Sequence, residues 1–255
     1  MSYQVIHRGP QPMIRPTAEG WAVHCVEEVT STNDLCRSLP EWNAVLAIRQ
    51  TAGRGRTGKS WVSDAGGLWM SMVIPADGPR SRWEPLPLVM GWTLLGVLRQ
   101  LGVKELRLRW PNDVMVGNRK LAGLLVERFN EATAVIGLGI NITNQPEQSS
   151  PELLGQSTRL KDLLPHVPKP ESLADAILVA TRRMQEKMVA QGFTAFVDEI
   201  NAAWGDPRKV ACELKDHTRQ GTFCGIDQDG NLLMQDESGS TSALSAIEVR
   251  IMKEL

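Results

Sequence analysis

GRGRTGKSW, Gly53–Trp61, fits two phosphate-binding patterns at once, and the choice between them decides the fold. Read as G-x-G-x-x-G, through Gly53, Gly55 and Gly58, it is a dinucleotide fingerprint; read as G-x-x-x-x-G-K-S, through Lys59 and Ser60, it is the phosphate loop of NTPases. Both patterns work only where a strand passes through the loop into a helix, so that loop amides and the helix amino terminus meet the phosphates together. The strand is there, as AVLAIRQ (44–50). Beyond Ser60, however, runs WVSDAGGLWMSMVIP, in which Gly66 and Gly67 interrupt any helix and the following residues have strand character. Neither nucleotide fold is expected. What remains is a loop of three glycines interleaved with Arg54, Arg56 and Lys59. Glycine lets a backbone approach a ligand closely and arginine grips oxyanions with a two-pronged fork, so a clamp that orders around phosphate is expected, against a solvated basic turn.

On either side the chain alternates strands and helices. WAVHCVEEV (21–29) alternates as a strand, and STNDLCRSL (31–39) opens as a helix capped by Ser31 or Thr32. GLWMSMVIP (67–75), LRLRWP (106–111), DVMV, LAGLLVER and TAVIGLGINIT (133–143) follow as strands, with Gly117-Asn118 at a bend. Helices are expected over 86–101, from the spacing of Leu88, Val89, Trp92, Leu95, Val97 and Leu98; over 171–192, with Ser172 as cap; and over 193–204. Residues 1–20, with Pro10, Pro12 and Pro16, suggest an irregular leader. After Asp206-Pro207 the texture changes to short strand-like runs, RKVACEL, TRQGTFCGID, NLLMQD and ALSAIEVRI, separated by polar turns. That is the pattern of a small five-stranded barrel, which divides the chain into a leader (1–20), a core (21–205) and a carboxy-terminal domain (206–255).

Composition narrows the class of function. With 255 residues, 42% of them hydrophobic, the chain can bury a sizeable core. A formal net charge of −1 offers no general attraction to nucleic acid or anionic membranes. No apolar stretch has the length of a signal peptide or a membrane span, so a soluble cytoplasmic protein is expected. Cys25, Cys36, Cys212 and Cys224 form no C-x-x-C pair and suit buried, reduced thiols better than a zinc cluster.

QTAGRGRTGKSW (50–61), RWPNDV (109–114), RKLAGLLVE (119–127) and GLGINI (137–142), preceded by STND (31–34), resemble the ordered motif set of biotin–protein ligases. The resemblance implies an α+β fold: a mixed sheet with flanking helices, related to class II aminoacyl-tRNA synthetases, followed by a small SH3-like barrel. It also implies an enzyme that activates biotin with ATP to biotinyl-5′-AMP and passes the biotinyl group to one lysine of a biotin carboxyl carrier protein of a carboxylase.

The same resemblance supplies roles. Lys120 would bridge the biotin carboxylate and the α-phosphate as the central catalytic residue, with Arg54 and Arg56 neutralising phosphate charge. Ser31, Thr32, Asn33, Gln50, Gly53, Gly55 and Gly123 would contact biotin, together with Arg54, Arg56 and Lys120. Lys59, Trp61, Asn112, Gly137, Gly139 and Asn141 would join Arg54, Arg56 and Lys120 around ATP or the adenylate, and Asp113 and Asn141 are candidate Mg²⁺ ligands, partly through water. From the residues alone other readings stand: Gly123, Gly137 and Gly139 as β-bulge glycines, Asn112 and Asn141 as ties between turns, Asp113 as an orienter of Lys120.

Thr57 and Lys59 stand where many family members carry arginine, and Lys59 keeps the charge but loses the fork. The stretch before Trp21 is too short for a three-helix DNA-reading domain, so the single-function branch is expected, without nucleic acid or membrane partners, as a monomer or homodimer. Three alternatives compete. A lipoate or octanoate ligase would present a similar lysine to a longer acyl chain; a non-catalytic biotin or adenylate binder would not need Lys120; an NTPase would need a helix after Ser60.

Overall fold

The computed structural model describes residues 7–8, 13–16, 19–79 and 83–255. Its larger sheet is built from β1 (His7–Arg8), β2 (Met13–Pro16), β3 (Ala22–Val29), β4 (Asn43–Gln50), β5 (Leu68–Pro75), β6 (Leu106–Arg109), β7 (Asp113–Val116), β8 (Arg119–Glu127) and β9 (Thr133–Ile140). The order across the sheet is β1-β3-β4-β5-β9-β8-β7-β6, with β2 also paired to β3. Among the described strands only β3 and β4 run parallel, joined by the short helix α1 (Thr32–Cys36); the other pairs are antiparallel. The sheet is therefore mixed. His7–Arg8 and Met13–Pro16 lie in strands where an irregular leader was expected, because each adds to the edge that β3 exposes.

Period-two alternation assigns each face of the sheet its task. Leu68, Met70, Met72 and Ile74 of β5, Ala134, Ile136, Leu138 and Ile140 of β9, and Ala122 and Leu124 of β8 enter the main core. There they meet α2 (Leu86–Gln100), α4 (Pro170–Gln191) and α5 (Thr194–Ala202), which follow a short α3 (Pro146–Ser149). The intervening residues, Ser71, Gly123, Gly137 and Gly139, point to the other face. That face is partly closed by α1 over a smaller cluster of Val26, Val29, Cys36, Val45, Ala47, Val73 and Val135. Helix α4 starts on Pro170 with Lys169 at the cap position, so Ser172 lies within the first turn instead of capping it. Ser31 holds the cap position of α1 without a side-chain cap bond, its neighbours having other partners.

The carboxy-terminal residues form β10 (Arg208–Glu213), β11 (Thr218–Ile226), β12 (Leu232–Gln235), β13 (Thr241–Leu244) and β14 (Ile251–Glu254), an antiparallel sheet in the order β13-β12-β11-β10-β14. Its ladder is open between β13 and β14. The run Ala243–Ile251 is not one strand but two, split by a turn in which the backbone N–H and hydroxyl of Ser245 both donate to Glu248. Val210, Phe223, Ile226 and Leu232 share the main core with the helices, and Trp110 Nε1 donates to the Gly230 carbonyl at 3.1 Å. Burial pushes the thiols of Cys36 and Cys212 up, the latter to about 11, but Cys25 is only half-buried and Cys224 is exposed, so a uniform set of buried thiols is not found. Among the described residues no helix is long and apolar enough to cross a membrane.

Candidate active site

The Gly53–Trp61 stretch folds back on itself. Arg54 and Ser60 form an antiparallel bridge, Trp61 N–H donates to the Gly53 carbonyl at 2.8 Å, and Gly55 N–H donates to Lys59 at 2.7 Å. A tight turn at Arg56–Gly58 reverses the chain, with Thr57 (φ 55°) and Gly58 (φ 76°) both left-handed. The chain from Ser60 then leads into β5 without a helix. Both nucleotide-loop patterns therefore lack the element that would make them work. Gly53 is required sterically: a Cβ there would come within 2.5 Å of Ser63 Oγ and of the Trp61 carbonyl oxygen. Nor is the loop an open chain awaiting a ligand, because two arginines tether it. Arg54 binds Asp34 with both prongs, at 2.7 and 2.8 Å, and Arg56 donates to the carbonyls of Ala246 and Val249 at 2.6 and 3.2 Å.

On the face of the sheet that α1 partly closes lies a cavity of about 390 Å³. Every candidate residue named from the sequence lines it except Gly53, which packs against Ser63 and the Trp61 carbonyl. At one end, Ser31, Thr32 and Asn33 are nearly fully buried, and Thr32 and Asn33 belong to a polar network. Thr32 donates through its N–H and hydroxyl to Gln50 Oε1 (2.8 and 3.0 Å), and Gln50 Nε2 donates to Ser63 Oγ at 2.8 Å. Ser71 Oγ lies 2.6 Å from Thr32 Oγ1 and 2.5 Å from Asn33 Oδ1, while Asn33 Nδ2 donates to Glu127 at 2.6 Å.

The floor consists of glycine. Gly123 pairs with Gly139, and Gly137 with Leu125, in regular register, so these are not bulge glycines; the one register shift on β8 falls opposite Val114 and Met115. Their need is close approach. A Cβ on Gly137 would collide with Asn33 Oδ1, one on Gly139 with Trp61 Nε1, and one on Gly123 would stand 2.8 Å from the Trp61 ring. The Trp61 indole thus rests directly on the sheet, its buried Nε1 without a hydrogen-bond partner.

Lys120 stands on the wall, its Nζ 2.5 Å from Asp113 Oδ1 and 4.8 Å from the centre of the Trp61 ring. Arg109 takes the other oxygen of Asp113, through Nη2 at 2.6 Å and Nε at 3.2 Å. Burial by itself would raise the Asp113 carboxyl, but Lys120 and Arg109 together outweigh it and hold the group below the usual carboxylate range. Burial lowers the Arg56 guanidinium, with Asp113 opposing. Asn112 Nδ2 donates to the Leu124 carbonyl (2.6 Å); Asn141 donates to Thr158 and accepts from Asn144 (3.2 and 2.9 Å). Both asparagines tie turns together. With both oxygens of Asp113 engaged by cations and the Asn141 oxygen already accepting, these residues do not fit a resident Mg²⁺. No group of three His, Cys, Asp or Glu able to hold a metal occurs among the described residues.

The structure adds residues that were not singled out. Ser71 is the one polar side chain of β5, a signal visible in LWMSMVIP; Arg109 opens RWPNDV, Glu127 closes RKLAGLLVE and Asp34 closes STND. Arg250, Ile251 and Met252 reach the cavity from the carboxy-terminal sheet, and nothing in local sequence announces them.

Comparison with known proteins agrees with this arrangement. Residues 24–141 match the profile of the Biotin/lipoate A/B protein ligase family. The chain is 30% identical over 231 residues to the bifunctional ligase/repressor BirA of Escherichia coli (strain K12), covering 86% of this chain and 71% of that protein. It is 29% identical over 219 residues to BirA of Bacillus subtilis (strain 168), covering 82% of this chain and 66% of the relative, so it spans just under two thirds of that protein. Among solved structures, the biotin protein ligase from Aquifex aeolicus in complex with biotin and ATP matches with a TM-score of 0.79 at 25% identity, over 91% of this chain and 99% of that one. With these similarities and five ordered motifs meeting in one cavity, the chain belongs to the biotin/lipoate A/B protein ligase family.

Proposed function

We propose that the protein is an ATP-dependent ligase that activates biotin with ATP to biotinyl-5′-AMP, releasing pyrophosphate, and then transfers the biotinyl group to one lysine of a biotin carboxyl carrier protein. The observation that carries this is the placement of Lys120, beside Asp113 and over Trp61, on the wall of a glycine-floored cavity that ends in a buried polar network. A neutral bicyclic urea suits that shape, since few polar contacts at one end and close apolar walls are what such a ligand needs. Its ureido group would meet Thr32, Asn33 and Gln50, and its ring would lie along Gly123, Gly137 and Gly139 beneath Trp61.

A carboxylate oxygen of biotin then attacks the α-phosphorus of ATP, the bond to the β-phosphate breaks, and pyrophosphate leaves. Lys120 places a positive charge where carboxylate and phosphate converge, and Arg56 and Lys59 add charge from the loop. ATP enters as its magnesium salt. In the second half, the carrier's lysine amine attacks the acyl carbonyl, AMP departs, and an amide is formed. The free thiols suit a cytoplasmic setting. We read residues 21–205 as a ligase core of the class II synthetase type and residues 206–255 as an SH3-like unit closing the ATP side through Arg250–Met252.

Mass spectrometry of the protein incubated with magnesium-ATP and biotin, lipoate or octanoate tests the reading. Biotinyl-AMP alone is expected. Lipoyl- or octanoyl-AMP would keep the family and change the substrate, and no adenylate with any acid would leave only a binding role.

A further inference from the structure

We infer that Asp34 and Glu127 hold Arg54 as a strut that fixes the Gly53–Lys59 loop to the polar end of the cavity, so that Arg54 is a positioning residue and not a phosphate ligand. Resting on the biotin reading above, this changes the part Arg54 plays in it. Both prongs of the guanidinium are spent on Asp34 (2.7 and 2.8 Å), and Nη2 also lies 3.3 Å from Glu127 Oε2. The first cause that raises the Arg54 pKa is this bond to Asp34. Arg37 reaches Asp34 only at 3.7 Å, so Arg54 is the close cation for both carboxylates and its charge is largely spent on them. For a phosphate to recruit Arg54 it would have to break a bidentate pair and leave two carboxylates facing each other. Arg56 differs: it donates to uncharged carbonyls and has no carboxylate within ion-pair distance among the described residues.

The strut also reaches the ligand end. Glu127 Oε2, which meets Arg54, is the atom that accepts Asn33 Nδ2 at 2.6 Å, while Asn33 Oδ1 faces Ser71 at 2.5 Å. Glu127 therefore sets which way the Asn33 amide points. From Ser71 the polar chain runs through Thr32 and Gln50 to Ser63, whose hydroxyl donates to the Trp61 carbonyl at 3.0 Å. The network leaves the loop at Arg54 and returns to it at Trp61. Loop position and the donor–acceptor pattern shown to the ligand are thus set by one connected group of side chains, with the Asp34–Arg54–Glu127 cluster at its head.

The experiment compares Asp34→Asn, Arg54→Gln, the double variant and the charge swap Asp34→Arg/Arg54→Asp in the full chain. Limited trypsin cleavage at Arg56 and Lys59, without ligand, reads the strut; calorimetry with biotin and the KM for ATP read its consequence. Expected are cleavage roughly tenfold faster in either single variant, biotin binding weakened about tenfold, a double variant no worse than the singles, partial rescue by the swap, and an ATP KM within about twofold of wild type. An Arg54→Gln protein with a tenfold higher ATP KM, beside an Asp34→Asn protein unchanged in cleavage and biotin binding, would overturn the inference. Should Asp34→Asn fail to fold, Glu127→Gln takes its place: it keeps an acceptor for Asn33 and removes the charge, and unchanged cleavage there counts against the strut. Failure of the wild type to bind biotin sinks the functional reading, whereas the trypsin comparison judges the strut without it.

Discussion

Lys120 of β8 and Asp113 of β7, which flank the register shift between the two strands, make a 2.5 Å ion pair in which Asp113 keeps its second oxygen for Arg109. Lys120 is therefore held by half of a carboxylate whose charge is shared with another cation. Its Nζ can turn toward an incoming anion without stranding Asp113. Lys120→Ala is expected to reduce adenylate formation by about 10²–10³-fold or more while leaving the fold intact, because Asp113 retains Arg109. Pyrophosphate release and thermal unfolding, measured on the same preparation, check the two halves of that statement. Adenylate formed at the wild-type rate would remove Lys120 from the chemistry.

The depressed Asp113 carboxyl gives a pH prediction of definite sign. A group whose folded pKa lies below its unfolded value stabilises the fold when ionised. That stability is present above the ordinary carboxylate pKa and is lost as pH falls through the folded value. Asp113→Asn should cost on the order of 1–3 kcal/mol at neutral pH, since it leaves Lys120 and Arg109 without their shared anion. The gap between wild type and variant should shrink below about pH 4. Urea titrations at pH 7 and in acid would show it; a gap that widens in acid refutes the assignment.

The glycine floor predicts two separable losses. At Gly137 an added methyl group displaces Asn33 from Ser71 and Glu127, which strikes the polar end of the cavity. At Gly139 it lifts the Trp61 indole, which strikes the wall shared with Lys120. Gly137→Ala should weaken biotin binding about tenfold or more, and Gly139→Ala should lower the adenylation rate more than the biotin affinity. Calorimetry beside single-turnover kinetics separates the two, and identical profiles for both variants would show that the floor acts as one unit.

Much of this fold is legible in the sequence. Ala22–Val29 and Leu106–Arg109 declare themselves by alternation, Leu68–Pro75 by an almost unbroken apolar run buried on both faces, and α4 by its long apolar face against the main core. The absence of a helix after Ser60 followed from Gly66 and Gly67. Less was visible where partners are distant in sequence. Arg54 looks like a free cation until Asp34 and Glu127, from α1 and the end of β8, close on it. Asn141 looks like a metal ligand until Asn144 and Thr158 claim its amide. The type of a polar residue shows what it can do; only its partners decide which of those things it does.

The two sheets are joined by a pair that can be broken by design. Arg107, at the outer strand β6, grips Glu254 of β14 with both prongs, at 2.7 and 2.6 Å, and both side chains are largely buried. Arg208 adds a third contact to Glu254 at 3.3 Å. Replacing Glu254 by Gln leaves two arginines in a low-dielectric seam with no anion, a loss of about 3–5 kcal/mol by the usual cost of breaking a buried pair. Because β14 also carries Ile251 and Met252 into the cavity, the same change should loosen that wall. The expected outcome is a lower urea midpoint, unfolding in two steps where the wild type shows one, and a raised KM for ATP with biotin binding within about twofold, since the polar network lies on α1, β4 and β5. An unchanged single transition would mean that the apolar seam around Trp110, Phe223 and Ile226 holds the domains together without the ion pair.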